Sequence, residues 1–519
     1  MSTSIKISSL LFVSLLFISC STRTIKADIL IKGGTVYDGL SGEAQMVNIA
    51  IQGDTIAYLG NSEEVRFKAK KTIDATGKIV SPGFIDPHTH ADRDLVKPET
   101  SHNRPFLMQG ITTVVVGNDG SSFFPTQKYK KLYTAQGIGT NVVMLCGHGT
   151  VRKEVVGQSD RQPTELEMDE MRSLIQEEMD QGAFGISTGL YYSPGSYSET
   201  EEVIELAKIA AINGGIYDTH LRDESSFNIG LVNAVKEAIQ IGEKSGIPIH
   251  ISHIKCLGKD VWGRSGEIIR LVEQARAKGI EVTANQYPYD ASSTSLKAAV
   301  VPRWAESGGL DSLFYRLNAP ETRKRVLEET VINMERRGGP SKLLIVKLPD
   351  TTYVGKNLEQ IATLLDIPAE EAVYEMLKIG HAKVVSFNMT NEDLNLFLQQ
   401  PWVVTGSDGN TGHPRKYGTF PRKYTQYVKR DRIISLADFI KSSTGKTAEI
   451  FRIPRRGVLK AGNYADIIIF DPESFQEEAT YTDAFQYATG LQYSIINGQI
   501  AVQNGIPLDV LTGRVLEKE

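Results

Sequence analysis

The chain has 519 residues, with 57 Lys and Arg against 62 Asp and Glu for a formal charge of −5. That length exceeds one small module and suits a large α/β domain with a satellite. The ordinary 23% charged and 41% hydrophobic content excludes a disordered chain, a collagen or a coiled coil, and the small negative charge leaves no basic footprint for nucleic acid. Three scattered cysteines, Cys20, Cys146 and Cys256, are too few for a disulfide framework or a thiolate zinc cluster.

In chain order, the first element is a targeting segment, residues 1–19. Lys6 precedes an apolar run, residues 10–19, that is too short to span a bilayer. The small Ser19 before Cys20 resembles a bacterial lipoprotein box, which implies lipidation of Cys20. The expectation is an exported, periplasmic or cell-surface protein that meets the membrane only through that lipid. Residues 27–85 then alternate apolar and polar, with turns at Gly33-Gly34, Gly53-Asp54 and Gly77, which predicts short strands. Residues 451–510 repeat the texture at Gly457-Val-Leu, Ala465-Asp-Ile-Ile-Ile-Phe and Ile495-Ile-Asn-Gly-Gln-Ile-Ala-Val. The two ends are therefore expected to build one composite β-sandwich.

Residues 86–450 alternate apolar strands with amphipathic helices. Capping boxes at Thr164-Glu-Leu-Glu167 and Ser198-Glu-Thr-Glu201 predict two helix starts, and residues 228–244 carry apolar side chains at helical spacing. The strands end in polar landmarks: His88 with His90, Asp119, His148, Ser187 with Thr188, His220, His253, Tyr287 and Asp408. Successive landmarks lie 29 to 39 residues apart until a last gap of 121. A strand, a helix and two loops need about 30 residues, so the period predicts an α/β fold, a (β/α)8 TIM-like barrel. The long gap predicts an insertion before the eighth strand, over about residues 297–400, with a helix at Glu321-Thr-Arg-Lys-Arg-Val-Leu-Glu-Glu and a strand at Leu343-Leu-Ile-Val.

In such a barrel the chemistry sits where the strands end. His88 and His90, two apart on a strand, point the same way and can grip one ion. With Asp119, His220, His253 and Asp408 at the same ends of other strands, four imidazoles and two carboxylates converge. This donor set suits zinc or, less selectively, another transition metal. A catalytic metal keeps a position for water and lowers its pKa. A carboxylate beside that water can take its proton and hand it to a leaving amine, a role assigned to Asp408. His250, three residues before His253, is expected to face away and be structural. His102 and His381 lack motif context, and Cys146 and Cys256 are expected to pack in the core.

These landmarks sit in longer motifs: Ser81-Pro-Gly-Phe-Ile-Asp-Pro-His-Thr-His90, Gly110-Ile-Thr-Thr-Val-Val-Val-Gly-Asn118, Gly147-His-Gly-Thr150, Gly185-Ile-Ser-Thr-Gly-Leu190, Thr219-His-Leu-Arg-Asp-Glu224, Ser252-His-Ile-Lys255, Tyr287-Pro-Tyr289, Gly406-Ser-Asp-Gly409 and His413-Pro-Arg-Lys-Tyr-Gly-Thr-Phe-Pro-Arg422. Through them the chain, over residues 27–510, resembles the amidohydrolase superfamily and within it the N-acyl-D-amino-acid deacylases (D-aminoacylases). The resemblance implies one or two Zn2+ ions, one at His220, His253 and the strand-two residue and a weaker one at His88, His90 and Asp408. In the family the strand-two residue is a Cys that can bridge both sites. Here it is Asp119, a harder ligand that can also bridge. The resemblance further implies hydrolysis of an N-acyl-D-amino acid, or a dipeptide ending in a D residue, with the substrate's α-carboxylate held by Lys255, Tyr287 and Arg415. His148, Tyr192 and Glu224 are candidates to line the site, without assigned roles. One alternative is a cyclic-amide hydrolase of the dihydroorotase or hydantoinase kind, opposed by the lack of a lysine after strand four. The other is a catalytically silent, surface-anchored homologue, favoured by Asp119 and opposed by the intact remaining ligands.

Overall fold

The computed structural model describes residues 23–518, so the targeting segment and Cys20 lie outside the described residues. Eight parallel strands form the barrel: Phe84–Asp86, Ile111–Val116, Asn141–Met144 continued by Cys146–Gly147, Gly185–Gly189, Ile216–His220, Ile249–Ile251, Val282–Gln286 and Val403–Thr405. The third strand is interrupted at Leu145. Its first half pairs with strand two and its second half with strand four. Strands one and eight join at the mouth through a parallel bridge between Thr89 and Gly409.

Parallel strands covered on both faces read as unbroken apolar runs. Ile-Thr-Thr-Val-Val-Val is buried at every position. Ile186, Tyr217, Ile249, Ile251 and Val282 pack against the helix residues Met171, Ile175, Leu206, Val235 and Ile268. The capping box at Thr164 is present: Glu167 N donates to Thr164 Oγ1 (3.3 Å) and Thr164 N to Glu167 Oε2 (2.7 Å). The expected box at Ser198 is not. Its hydroxyl donates instead to Gly195 O (2.7 Å), and the helix starts at Thr200 without a side-chain cap. A hydroxyl that finds a local carbonyl no longer serves the helix amides.

Two auxiliary sheets stand beside the barrel, one from the N-terminal end alone and one from both chain ends. A four-stranded sheet is ordered Thr55–Gly60, Asn48–Gln52, Arg23–Lys32, Val65–Asp74. A seven-stranded sheet joins Thr35–Tyr37 and Ile79–Pro82 to Ile467–Phe470 and Leu491–Ile496. Ile29, Ile49 and Ile73 from the first meet Val80, Ile467 and Ile495 from the second in one core. The expected strand at Gly457-Val-Leu is a loop. Arg456 just before it is fixed to Asp466, and the one backbone bond from Leu459 N to Asp38 O (2.9 Å) does not extend into a ladder.

Between barrel strands seven and eight lies a lobe with its own antiparallel sheet, Ala291–Ser295, Lys383–Phe387 and Leu343–Lys347, and its own core around Leu296, Val326, Ile345 and Val373. The lobe's sheet opens at Ala291, earlier than residue 297, because Ser292, Ser293 and Thr294 carry no apolar alternation to mark a strand. The helix Asn391–Leu398, inside the expected insertion, belongs to the barrel: its Phe397 packs with Trp402 and Val403.

Candidate metal centre

The strand ends lock the polar landmarks in place. Asp408 N donates to His88 O (2.9 Å) and His90 N to Gly409 O (3.2 Å), which makes His88, His90 and Asp408 one unit across the barrel seam. Beneath them buried Asp86 accepts from Ser407 N (3.0 Å), and its burial pushes the carboxyl up to about 7. Asp119 follows strand two with φ +56°, and the next amide, Gly120 N, donates to Ser187 Oγ (3.1 Å) of strand four. His220 is the last residue of strand five. His253 stands two residues past strand six with φ +36°, its amide on Asn285 Oδ1 (2.9 Å). Asp408 also has positive φ, +47°. A non-glycine residue in the left-handed region costs about 1–3 kcal/mol, so three of six convergent residues are held in conformations their own backbones disfavour.

The six form two groups sharing Asp119: His88, His90, Asp119 and Asp408, and Asp119, His220 and His253. Asp119 Oδ1 lies 3.4 Å from His88 Nε2, 3.4 Å from His253 Nε2 and 3.7 Å from His220 Nδ1, while its Oδ2 lies 3.6 Å from His90 Nε2. His90 Nε2 is 3.2 Å from Asp408 Oδ1, and His220 Nδ1 is 2.9 Å from His253 Nε2. Buried His88 Nε2 and Asp119 Oδ1 have no hydrogen-bond partner. Ligand atoms at about 2.0–2.1 Å from a tetrahedral zinc stand about 3.3 Å from one another. The separations, the unpartnered buried atoms and the imidazole-carboxylate chemistry all fit a divalent metal of that kind.

A second layer holds this one. Glu224 Oε1 is 3.1 Å from His253 Nδ1, Glu224 Oε2 is 3.7 Å from His220 Nε2, and the Lys255 ammonium pairs with Glu224 while lying 2.9 Å from His253 Nδ1. The Tyr192 ring lies 4.7 Å from that of His220. Arg415, fully buried, places Nη2 2.8 Å from Asp408 Oδ2 and its guanidinium 4.5 Å over the Tyr287 ring. Burial opposes ionisation of all three carboxylates, yet neighbouring cations and hydrogen bonds prevail: His88, with hydrogen bonds from His220 and His253, holds Asp119 well below the usual range, Arg415 and a hydrogen bond from His90 do so for Asp408, and Lys255 for Glu224. Burial lowers His220 and Lys255 and raises Tyr287. The carboxylates are therefore ionised where a dication would sit, while, against burial, Glu224 and Asp119 raise His253 to about 9.

All six expected ligands, with Lys255, Tyr287 and Arg415, meet at this mouth. His148 does not join them: its Nε2 is 2.8 Å from Glu202, which Arg152 also binds. His250 bonds Thr283 (2.8 Å) and Asn285 (2.9 Å), and Cys146 and Cys256 are buried free thiols. Sequence reasoning left Glu224 without its orienting contact. The available signal was a carboxylate four residues after His220 in Thr219-His-Leu-Arg-Asp-Glu224. It also missed Arg337, which the inserted lobe sends to a narrow inner cleft beside Tyr192, Lys255, Tyr287 and Asp408. A larger outer cleft, about 580 Å³, is lined by His90 and Asp119.

The model of the amidohydrolase family matches residues 71–502. A D-aminoacylase of Alcaligenes xylosoxydans xylosoxydans is 31% identical over 518 residues, covering 95% of this chain and 98% of that protein. An N-acyl-D-aspartate deacylase of the same organism is 31% identical over 503 residues, covering 91% and 92%. Among solved structures, an N-acyl-D-glutamate deacylase from Bordetella bronchiseptica, complexed with zinc and a phosphonate mimic of the tetrahedral intermediate, superposes with a TM-score of 0.82 at 29% identity, over 95% of this chain and 100% of that one.

Proposed function

The chain belongs to the amidohydrolase family, and from that premise we propose that it is a zinc-dependent hydrolase of N-acyl-D-amino acids, or of dipeptides with a C-terminal D residue, releasing a carboxylate and a free D-amino acid. The observation that carries the reading is Asp119, whose two oxygens face His88, His220 and His253 on one side and His90 on the other. Asp119, His220 and His253 would hold one ion, and His88, His90 and Asp408, again with Asp119, a second. Zinc supplies, when bound, Lewis acidity towards the acyl carbonyl and the attacking water. Asp408, ionised at neutral pH, takes the proton of that water and returns it to the departing nitrogen. Arg415 Nη1 and Nε and the Tyr287 hydroxyl are buried donors without partners, and with Lys255 they receive the substrate's α-carboxylate. Glu224 keeps His253 in one orientation through Nδ1.

The cyclic-amide alternative loses ground at strand four. Ser187 is engaged by Gly117 O and Gly120 N, Thr188 by Tyr217 (2.8 Å), and no lysine follows. The silent-homologue alternative rested on Asp119, which here reaches every histidine of both groups. The test is a panel of N-acetyl-D- and N-acetyl-L-amino acids with zinc supplied. Release of acetate and a free D-amino acid is expected, with the L series inert. Absence of D hydrolysis overturns the reading. We also propose export and lipid anchoring at Cys20, supported by the apolar run of residues 10–19 ending at Ser19-Cys20. Labelled palmitate is expected to enter the expressed chain and to be lost in Cys20→Ala.

A further inference from the structure

The outer cleft carries positive charge that the reaction above does not use. Its floor is His90, Asp119 and Asp408, and its walls present Arg93, Lys153 and Lys383. Lys383 stands at the first position of the inserted lobe's strand Lys383–Phe387, in register with Ser295 on one side and Lys347 on the other. It is nine-tenths buried, at 9% exposure. Like charges directly opposite on a sheet repel, and burial of an ammonium without a counter-ion is costly. The same cleft is also lined by Asp92 and Glu154, neither of which forms an ion pair with Lys383 or Arg93 among the described residues. Among the described residues Lys383 and Arg93 make no ion pair. Burial pushes the Lys383 ammonium down to about 7, with Arg93, Arg415 and Lys347 adding to the effect and only Asp408 opposing it.

The two clefts also give a substrate a direction. Lys255 and Tyr287 line the inner cleft, Arg93, Lys153 and Lys383 the outer, while Tyr192, Ser293, Thr294 and Asp408 border both. A linear amide lying across Asp408 with its α-carboxylate inside extends its acyl group into the outer cleft. We propose that Lys383, with Arg93, forms an anion subsite for a carboxylate at the far end of the acyl group, so that the favoured substrates are N-acyl-D-amino acids whose acyl part is a dicarboxylic half-amide such as succinyl. Hydrolysis then adds water across the acyl C–N bond and yields a free dicarboxylate and the D-amino acid. This specificity rests on the deacylase reading, because it is that reading which sets the substrate's orientation.

The experiment compares kcat/KM for N-succinyl-D-leucine, N-butyryl-D-leucine and N-acetyl-D-glutamate in the zinc-loaded wild type, Lys383→Met and Lys383→Arg, and measures succinate and butyrate binding by calorimetry. The wild type is expected to favour the succinyl over the butyryl substrate by about tenfold or more, the strength of one charge-assisted hydrogen bond. Lys383→Met is expected to erase that ratio and Lys383→Arg to retain it. Succinate should bind more tightly than butyrate in the wild type and equally in Lys383→Met. Equal use of succinyl and butyryl substrates with equal binding of the two acids overturns the subsite and leaves the deacylase reading standing. A preference for N-acetyl-D-glutamate that depends on Lys383 overturns the acyl placement. If no N-acyl-D-amino acid is cleaved while succinate still binds through Lys383, the deacylase reading fails and the anion site holds.

Discussion

His220 and His253 are backed by Glu224, with Lys255 and Tyr192 beside them, whereas His90 keeps 21% of its side chain exposed and borders the outer cleft. Both groups share Asp119, but the inner one is oriented by a buried carboxylate reaching two of its imidazole nitrogens, while the outer one is steadied mainly by backbone bonds across the barrel seam and by Arg415 on Asp408. Orientation of a ligand from behind raises metal affinity. On the proposed reading the inner group would be the tight site, and the outer group would be where exchange and proton transfer take place.

The comparison breaks most sharply at the residue common to both sides. Asp119→Ala should abolish hydrolysis and lower bound metal at both groups, read by elemental analysis; retention of a full equivalent would mean that His220 and His253 suffice alone. Next in size, Asp408→Asn should lower kcat by about 10²–10⁴-fold, the usual cost of losing a general base, while the inner equivalent of zinc stays bound. Glu224→Gln keeps the shape and removes the charge behind His253, and should weaken the inner ion by about 10–100-fold in a chelator competition. The smallest effect on tightly bound metal is expected from His90→Ala, which should keep the inner equivalent and lose only the weaker one. If His90→Ala strips the protein of all zinc, the assignment of tight and weak sites is reversed.

The six convergent residues were legible because each stands at or just past a strand end and, up to the inserted lobe, the strands recur at a nearly constant spacing, and those two regularities place side chains at one mouth without any knowledge of packing. Asp119 illustrates this: the run Ile-Thr-Thr-Val-Val-Val ahead of it announces a fully buried strand, and the barrel does the rest. What surrounds the ligands was less legible. Glu224 and Arg337 reach the site from loops and from the inserted lobe, where no periodicity fixes direction. The lobe's first strand, Ala291–Ser295, went unmarked because its hydroxyl side chains imitate a loop, and Ser198 failed as a cap because a carbonyl three residues upstream claimed its hydroxyl. Arg415 was expected at the substrate's carboxylate. In the structure it binds Asp408, a connection that spacing alone does not reveal.

Anomalous diffraction at the zinc absorption edge, from crystals of the protein grown with zinc, tests the convergence of these six side chains most directly. The account predicts a strong peak bounded by Asp119, His220 and His253, with any second, weaker peak towards His88, His90 and Asp408. A map with no peak inside that triangle, or with zinc bound only at surface residues, would contradict it.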